Sequence, residues 1–192
     1  MRPRQESLLP GFSPHTAAIA HGGEHTLGKR KARRPFDPKQ ALHVVLRSSK
    51  ARGSWSMLQD RNAAHIHAFT YRLANRWGVR IYRFANVGNH IHLLIRARSR
   101  AVFQRFIREL SGTIAIIVTG AKKASPLKKN SQNRGFWDHL VFTRIVHFGR
   151  DYEQVAQYLI KNLFEGAGVP IKKLLAQGRH VMTIRGDPPS AV

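Results

Sequence analysis

The stretch Asn89-His90-Ile91-His92-Leu93-Leu94-Ile95-Arg96 decides how this chain of 192 residues is interpreted. Side chains of a β-strand alternate between two faces, so His90 and His92 share one face while the apolar residues between them share the other. The apolar face can pack on a core. The two imidazoles then lie together on the far side of the strand, where a metal ion can bridge them.

The sequence on either side predicts the remaining elements from hydrophobic periodicity and turn residues. A strand over 42–47 precedes a helix over 60–77 that stops at Gly78, and strands over 79–87 and 90–97 form a hairpin through Gly88-Asn89. Ser99 caps a second helix whose buried stripe runs to Ile117. A fourth strand over 139–146 and a third helix from Asp151 to about Phe164 follow. This order predicts an α+β fold, a ferredoxin-like sandwich with an antiparallel sheet and an added C-terminal helix that carries Tyr158.

The composition favours a nucleic-acid partner. Thirty-three Lys and Arg residues against ten Asp and Glu residues give a formal charge of +23, and such an excess suits phosphate contacts that release counterions. No acidic residue lies beside the histidine pair, which argues against a nuclease built on clustered carboxylates around two metals. The absence of cysteine excludes disulfides, cysteine-ligated zinc and a cysteine nucleophile.

The distribution of residues predicts three segments. Residues 1–40 mix Pro, Gly, His and basic residues without periodicity and are expected to be a disordered basic arm. Residues 41–170 form the folded domain, and residues 171–192 form a C-terminal tail. No apolar run is long enough to span a bilayer and no secretory signal is evident, so we expect a cytoplasmic, nucleoid-associated protein with no membrane partner.

The third predicted helix offers two polar groups toward the histidines. Tyr158 and Asn162 are four residues apart, so they lie one above the other on the same side of a helix. His90, His92 and the Asn162 amide oxygen are a sensible ligand set for Mg²⁺ or Mn²⁺, and a nearby phenol could attack phosphorus. Taken singly, each residue has a more ordinary explanation, since a tyrosine near a helix end commonly packs at the edge of a core. Their combination favours a catalytic site.

These motifs carry a resemblance to a known family. Asn-His-Ile-His-Leu-Leu-Ile, followed about 65 residues later by Tyr158-Leu-Ile-Lys-Asn162, resembles the HUH-type single-tyrosine transposases of bacterial insertion sequences, particularly the REP-associated branch. The segments His43–Arg47 and Phe136–Asp138 add to the likeness, which covers roughly residues 41–170. The proline that commonly follows the asparagine in this family is replaced by Leu163.

The resemblance implies an enzyme that cleaves and rejoins single-stranded DNA during DNA transposition and recombination. Tyr158 would be the nucleophile and form a 5′-phosphotyrosine, while His90, His92 and Asn162 would hold the divalent metal, Mg²⁺ or Mn²⁺. Some relatives exchange the tyrosine helix between subunits and others work alone, so a monomer and a homodimer both remain open.

Basic side chains are the candidates for contact with single-stranded or hairpin DNA. They follow the predicted histidine strand into the second helix and continue through the loop between residues 120 and 135. The candidates are Arg47, Arg96, Arg98, Arg100, Arg105, Lys122, Lys123, Lys128 and Lys129.

Two other interpretations remain open from the sequence. A non-catalytic module could bind single strands on exposed sheet aromatics, with Tyr82 and Phe84 on one strand face. A metal-dependent hydrolase could use the same histidine pair with water as the nucleophile. Formation of a covalent protein–DNA adduct distinguishes the tyrosine mechanism from both.

Overall fold

The fold is described from a computed structural model that covers residues 18–28, 32–121 and 135–166. Within these residues the strands are β1 Ala20–His21, β2 Ala41–Arg47, β3 Arg80–Asn86, β4 His90–Arg96 and β5 Phe142–Val146. The helices are α1 Asp60–Trp77, α2 Arg100–Thr119 and α3 Arg150–Gly166, and single 3₁₀ turns occur at Gly23–Thr26 and Gly53–Trp55.

The five strands form one antiparallel sheet in the order β1-β5-β2-β4-β3. The four longer strands, together with α1 and α2, reproduce the predicted ferredoxin-like α+β sandwich, and α3 is the additional helix. β2 is paired on both sides, with Val45 opposite His92 on β4 and Arg47 opposite His90. The histidine strand therefore lies beside the centre of the sheet.

Local sequence sets the ends of the helices on one face of the sheet. α1 ends at Gly78, which adopts a left-handed conformation at φ 62° that favours glycine. α2 begins after Ser99, whose side chain accepts a hydrogen bond from the Val102 amide at 3.3 Å. Both helices pack against Ile91, Leu93 and Ile95 of β4 in the main core. The apolar face predicted for the histidine strand is confirmed.

α3 packs against the opposite sheet face through a second, smaller core. Leu94 of β4 meets Val155 and Leu159 of the helix there, with Val146 and Ala85 completing the contact. Leu163, one turn beyond Leu159, is 42% exposed and does not belong to this core.

Part of the segment expected to be a disordered arm is instead packed on the domain. β1 adds to the sheet beside β5, Phe36 stacks against Phe103 with ring centroids 6.1 Å apart, and Arg34 donates to the Val141 carbonyl at 2.8 Å. Two residues are too short a strand to show periodicity, so the sequence pattern did not reveal β1. Residues 1–17 and 29–31, and the predicted tail 171–192, lie outside the described residues.

A β-bulge changes the predicted arrangement of β3. The pairing with β4 shifts between Ile81 and Arg83, so one extra residue sits in the strand at Tyr82. Phe84 consequently packs with the main core, whereas Tyr82 packs with the smaller core under α3. The expectation that Tyr82 and Phe84 share one face as a stacking platform is therefore wrong.

None of the helices in the described segments combines the length and the apolar character that crossing a bilayer requires.

Candidate functional site

Three histidines, two of them fully buried and His90 partly buried, form a layer on the sheet face beneath α3. His43 Nε2 lies 3.1 Å from His92 Nδ1, and their rings stack with centroids 5.4 Å apart. His90 meets His92 edge to face at 4.7 Å between centroids, and its Nδ1 is 2.6 Å from the Asn89 side-chain oxygen. His43 and His92 are 1% and 0% exposed. Strand alternation and the β2–β4 register bring these rings together.

Burial keeps the three histidine rings of this layer uncharged at neutral pH. Desolvation, assisted by the charge of Arg47, lowers the pKa of His90 from 6.5 to about 4. Desolvation with Arg144 nearby lowers the pKa of His43 to about 3. The pKa of His92 is also well below its ordinary value because the ring is buried between the other two histidines. All three rings are therefore uncharged at neutral pH, so each carries a lone pair on one nitrogen, and one of these lone pairs accepts the His43–His92 hydrogen bond.

α3 brings Tyr158 to the histidines of the same chain. The Tyr158 ring meets His92 edge to face with centroids 5.6 Å apart and meets His43 at 6.3 Å. Tyr158 is half-buried and Asn162 lies one turn further along the same helix. The Asn162 Nδ2 donates to the Tyr158 carbonyl at 2.8 Å, which fixes the amide beside the tyrosine. The predicted tyrosine thus lies against the histidines, with the predicted asparagine one helical turn further on.

An ion pair joins β5 to the first turn of α3. Arg144 on β5 makes two contacts with the Asp151 carboxylate, at 3.0 and 3.2 Å, and Asp151 also accepts from the His147 amide. The Arg144 side chain is only 7% exposed. Asp151 was predicted only as a helix-start residue. Its pairing with Arg144 depends on the tertiary position of the helix, which sequence spacing does not reveal.

The residues present fit a divalent metal. The Nε2 atoms of His90 and His92 are buried and have no hydrogen-bond partner among the described residues, and both rings are neutral. Among these residues, no group of three or more His, Asp or Glu side chains is placed to hold a metal ion. A metal at this position would therefore depend on two imidazoles and an oxygen ligand from a different residue type, such as the Asn162 amide.

The arginines predicted to bind DNA lie in two separate places. Arg47 adjoins the site, opposite His90, and its guanidinium is 3.5 Å from Glu24 and 3.8 Å from Asp138. Arg96 lies at the far end of β4, about 20 Å from His90 at ~3.3 Å per strand residue.

The remaining predicted arginines continue from Arg96 into α2, on the opposite sheet face from α3. Arg100 donates to the Arg34 carbonyl and Arg105 lies over the Trp77 ring. Arg98 is exposed. The structure does not bring these side chains next to the histidines, and their contact with DNA stays a prediction. Lys122, Lys123, Lys128 and Lys129 lie outside the described residues.

The sequence interpretation treated His43 only as part of a family resemblance and gave it no place in the site. The available signal was its position on β2, since a histidine within a buried apolar strand must direct its ring into a core or toward a partner. His65 and His67 are both exposed on α1, which packs on the opposite face of the sheet from the histidine layer.

The family of this chain is shown by one sequence match. The sequence model of the "Transposase IS200 like" family matches residues 38–162, which is more than half of the chain and includes β2 through Asn162. No curated protein matches the sequence. A solved structure of a proposed transposase from Deinococcus radiodurans R1 is similar at 18% identity and a TM-score of 0.42, covering 70% of this chain and 98% of that one. On the strength of the family match, the chain belongs to the IS200-like transposases, a family of DNA-processing enzymes that act in transposition.

Proposed function

We propose that this protein cleaves and rejoins single-stranded DNA through a 5′-phosphotyrosine on Tyr158, with His90, His92 and Asn162 as metal ligands. The observation that carries the proposal is the position of Tyr158 against His92, with ring centroids 5.6 Å apart, beside two buried imidazole nitrogens that have no partner among the described residues. The family assignment supports a DNA substrate and a metal requirement.

The proposed reaction is a transesterification. The Tyr158 phenol oxygen forms a bond to a backbone phosphorus, the bond from phosphorus to the 3′ oxygen breaks, and that oxygen leaves as a 3′-hydroxyl after taking up a proton. The phenol proton is lost in the same step. Because one phosphodiester replaces another, the reaction needs no external energy source and can reverse on a different 3′ end.

The metal, Mg²⁺ or Mn²⁺, would supply charge neutralisation at the phosphate. The protein contributes the arrangement around it. The neutral imidazoles offer lone pairs, the Asn162 amide is fixed by its bond to the Tyr158 carbonyl, and the Arg144–Asp151 ion pair holds the first turn of α3 on the sheet. Tyr158 is therefore held beside the proposed metal ligands before DNA binds.

The location of Tyr158 and the histidines in one chain supports an active site complete within a monomer. We propose single-stranded or hairpin DNA as the partner, and a cytoplasmic, nucleoid-associated location follows from that substrate. Among the described residues predicted to bind DNA, Arg47, opposite His90, lies nearest the proposed site.

The test is formation of a covalent adduct. Purified protein would be incubated with labelled single-stranded DNA from its own genomic flanks and Mg²⁺ or Mn²⁺, then resolved on a denaturing protein gel. We expect a metal-dependent shifted band that disappears in Tyr158→Phe. The matched control is Tyr152→Phe, which removes a phenol oxygen from the same helix where the ring packs on Tyr82 and Phe148 rather than on the histidines.

Three outcomes of this experiment distinguish the interpretations. A band that persists in Tyr152→Phe and vanishes in Tyr158→Phe supports the tyrosine mechanism. If the wild type cuts DNA without an adduct, water is the nucleophile. If wild type and Tyr158→Phe bind DNA equally and neither forms an adduct nor cuts, the protein is a non-catalytic binding member of the family.

A further inference from the structure

His43 is the one member of the histidine layer to which the proposed reaction gives no task. It lies on β2, is 1% exposed, and its Nε2 makes a 3.1 Å hydrogen bond with His92 Nδ1. Its other ring nitrogen, Nδ1, is buried without a partner among the described residues. A polar ring that leaves one nitrogen unsatisfied in a core is costly, so a functional reason is expected.

The His43–His92 bond constrains which nitrogen of His92 can bind a metal. One proton lies between the two rings, and it belongs either to His92 Nδ1 or to His43 Nε2. In the first arrangement His92 Nε2 carries a bare lone pair. In the second arrangement His92 accepts at Nδ1, so its own proton moves to Nε2 and blocks that atom. Only the first arrangement leaves His92 competent as a ligand.

The same bond also fixes the orientation of the His92 ring. A half-turn of the ring would exchange Nδ1 with a carbon and break the bond to His43. The Tyr158 ring touches both imidazoles edge to face, so the stacked pair forms one wall against the tyrosine. Holding His92 therefore also holds the surface on which Tyr158 rests.

We propose that His43 is a positioning residue that accepts a hydrogen bond from His92 Nδ1–H and so presents His92 Nε2 as a metal ligand. This inference rests on the proposed function, because it assigns His43 a role toward the metal held by His90 and His92. Outer partners of metal-bound histidines commonly act in this way, and their removal weakens metal binding about 10- to 100-fold.

The first measurement uses the metal-free wild-type protein. Long-range proton–nitrogen correlation spectra would report the protonation of each ring nitrogen, and coupling across the hydrogen bond would report the His43–His92 contact directly. We expect that coupling without metal, and we expect the proton to sit on His92 Nδ1 once Mg²⁺ is added. Absence of the coupling, or a proton on His92 Nε2 in Mg²⁺-saturated protein, would overturn the proposal.

The second measurement titrates Mn²⁺ into the wild type, His43→Phe and His43→Gln without DNA, following free Mn²⁺ by electron paramagnetic resonance. Phenylalanine fills the space but cannot accept a hydrogen bond, so we expect about 10- to 100-fold weaker binding. Glutamine can accept through its side-chain oxygen, so we expect it to recover most of the lost affinity. Wild-type Mn²⁺ affinity in folded His43→Phe would contradict the positioning role.

A His92→Ala variant separates the two proposals. If it binds Mn²⁺ as the wild type does, the metal assignment in the proposed function fails and the role of His43 toward the metal fails with it. If His92→Ala loses Mn²⁺ while His43→Phe keeps it, the metal site stands and only the positioning role is refuted. The spectra of the metal-free wild type remain informative even if His43→Phe does not fold.

Discussion

Neutralising Asp151 should destabilise the protein more than removing its partner Arg144. The two residues form a two-contact ion pair in which the Arg144 side chain is 7% exposed and the Asp151 side chain is 31% exposed. The pair joins β5 to the first turn of α3. Because burial is so unequal, the two possible single substitutions leave different charges behind in different surroundings.

The expected magnitudes follow from that difference. Asp151→Asn keeps an oxygen for the His147 amide but leaves a buried guanidinium without a counter-charge, which costs about 3 kcal/mol in the free energy of unfolding. Arg144→Met keeps most of the aliphatic volume and leaves a carboxylate that water can reach, which costs about 1 kcal/mol. The double variant should lie close to Arg144→Met, because its buried charge is gone.

The assay is equilibrium urea unfolding of the wild type, the two single variants and the double variant at one ionic strength. The double-variant cycle measures the coupling free energy between the two positions. The reasoning is refuted if Arg144→Met is the more damaging change, or if the two single effects simply add in the double variant. Additive effects would mean that the pair is solvated in the folded protein and does not hold α3, whereas a larger loss in Arg144→Met would mean that the buried guanidinium needs no counter-charge.

Three further predictions concern the histidine layer and its surroundings. Burial lowers the folded-state pKa of His43 to about 3 and that of His90 to about 4. The same histidines in the unfolded chain therefore take up protons first as the pH falls below about 6.5. The free energy of unfolding should be full above that pH and fall by roughly 2 kcal/mol per histidine by about pH 5. Urea unfolding across this range checks it, and a flat profile contradicts it. Leu94→Ala should cost about 2–5 kcal/mol, since Leu94 is fully buried between the sheet and α3, and thermal unfolding measures the loss. Gly88→Ala should lower the free energy of unfolding by about 1–3 kcal/mol, because Gly88 has φ 92° and an added Cβ would lie 3.3 Å from the Ser56 hydroxyl. Unchanged stability would show that the turn relaxes freely.

Sequence periodicity predicted most of the fold because the deciding signals are local. Alternation placed His90 and His92 on one face, Ser99 marked the start of α2, and Gly78 marked the end of α1. The spacing of Tyr158 and Asn162 placed both on one side of a helix. Each of these inferences needs only neighbours within a few residues.

The features that sequence reasoning missed depend on contacts distant in the chain. The bulge at Tyr82 exists only relative to the register of β4, so alternation within β3 wrongly placed Tyr82 and Phe84 on one face. Arg96 follows His90 closely in sequence, but an extended strand carries it to the other end of the sheet. The bond between His43 and His92 joins residues on two strands whose pairing has to be known first.

The two edges of the sheet limit how copies of this chain can associate. Among the described residues, β1 forms one edge and has only two residues to offer another strand. At the other edge stands β3, whose middle residue is Arg83, so an antiparallel copy joined about its centre would place two guanidinium groups opposite each other. Continuation of the sheet from one molecule to the next is thereby disfavoured on both sides. A chain that must expose much positive charge to bind DNA is thus also protected against strand-to-strand aggregation.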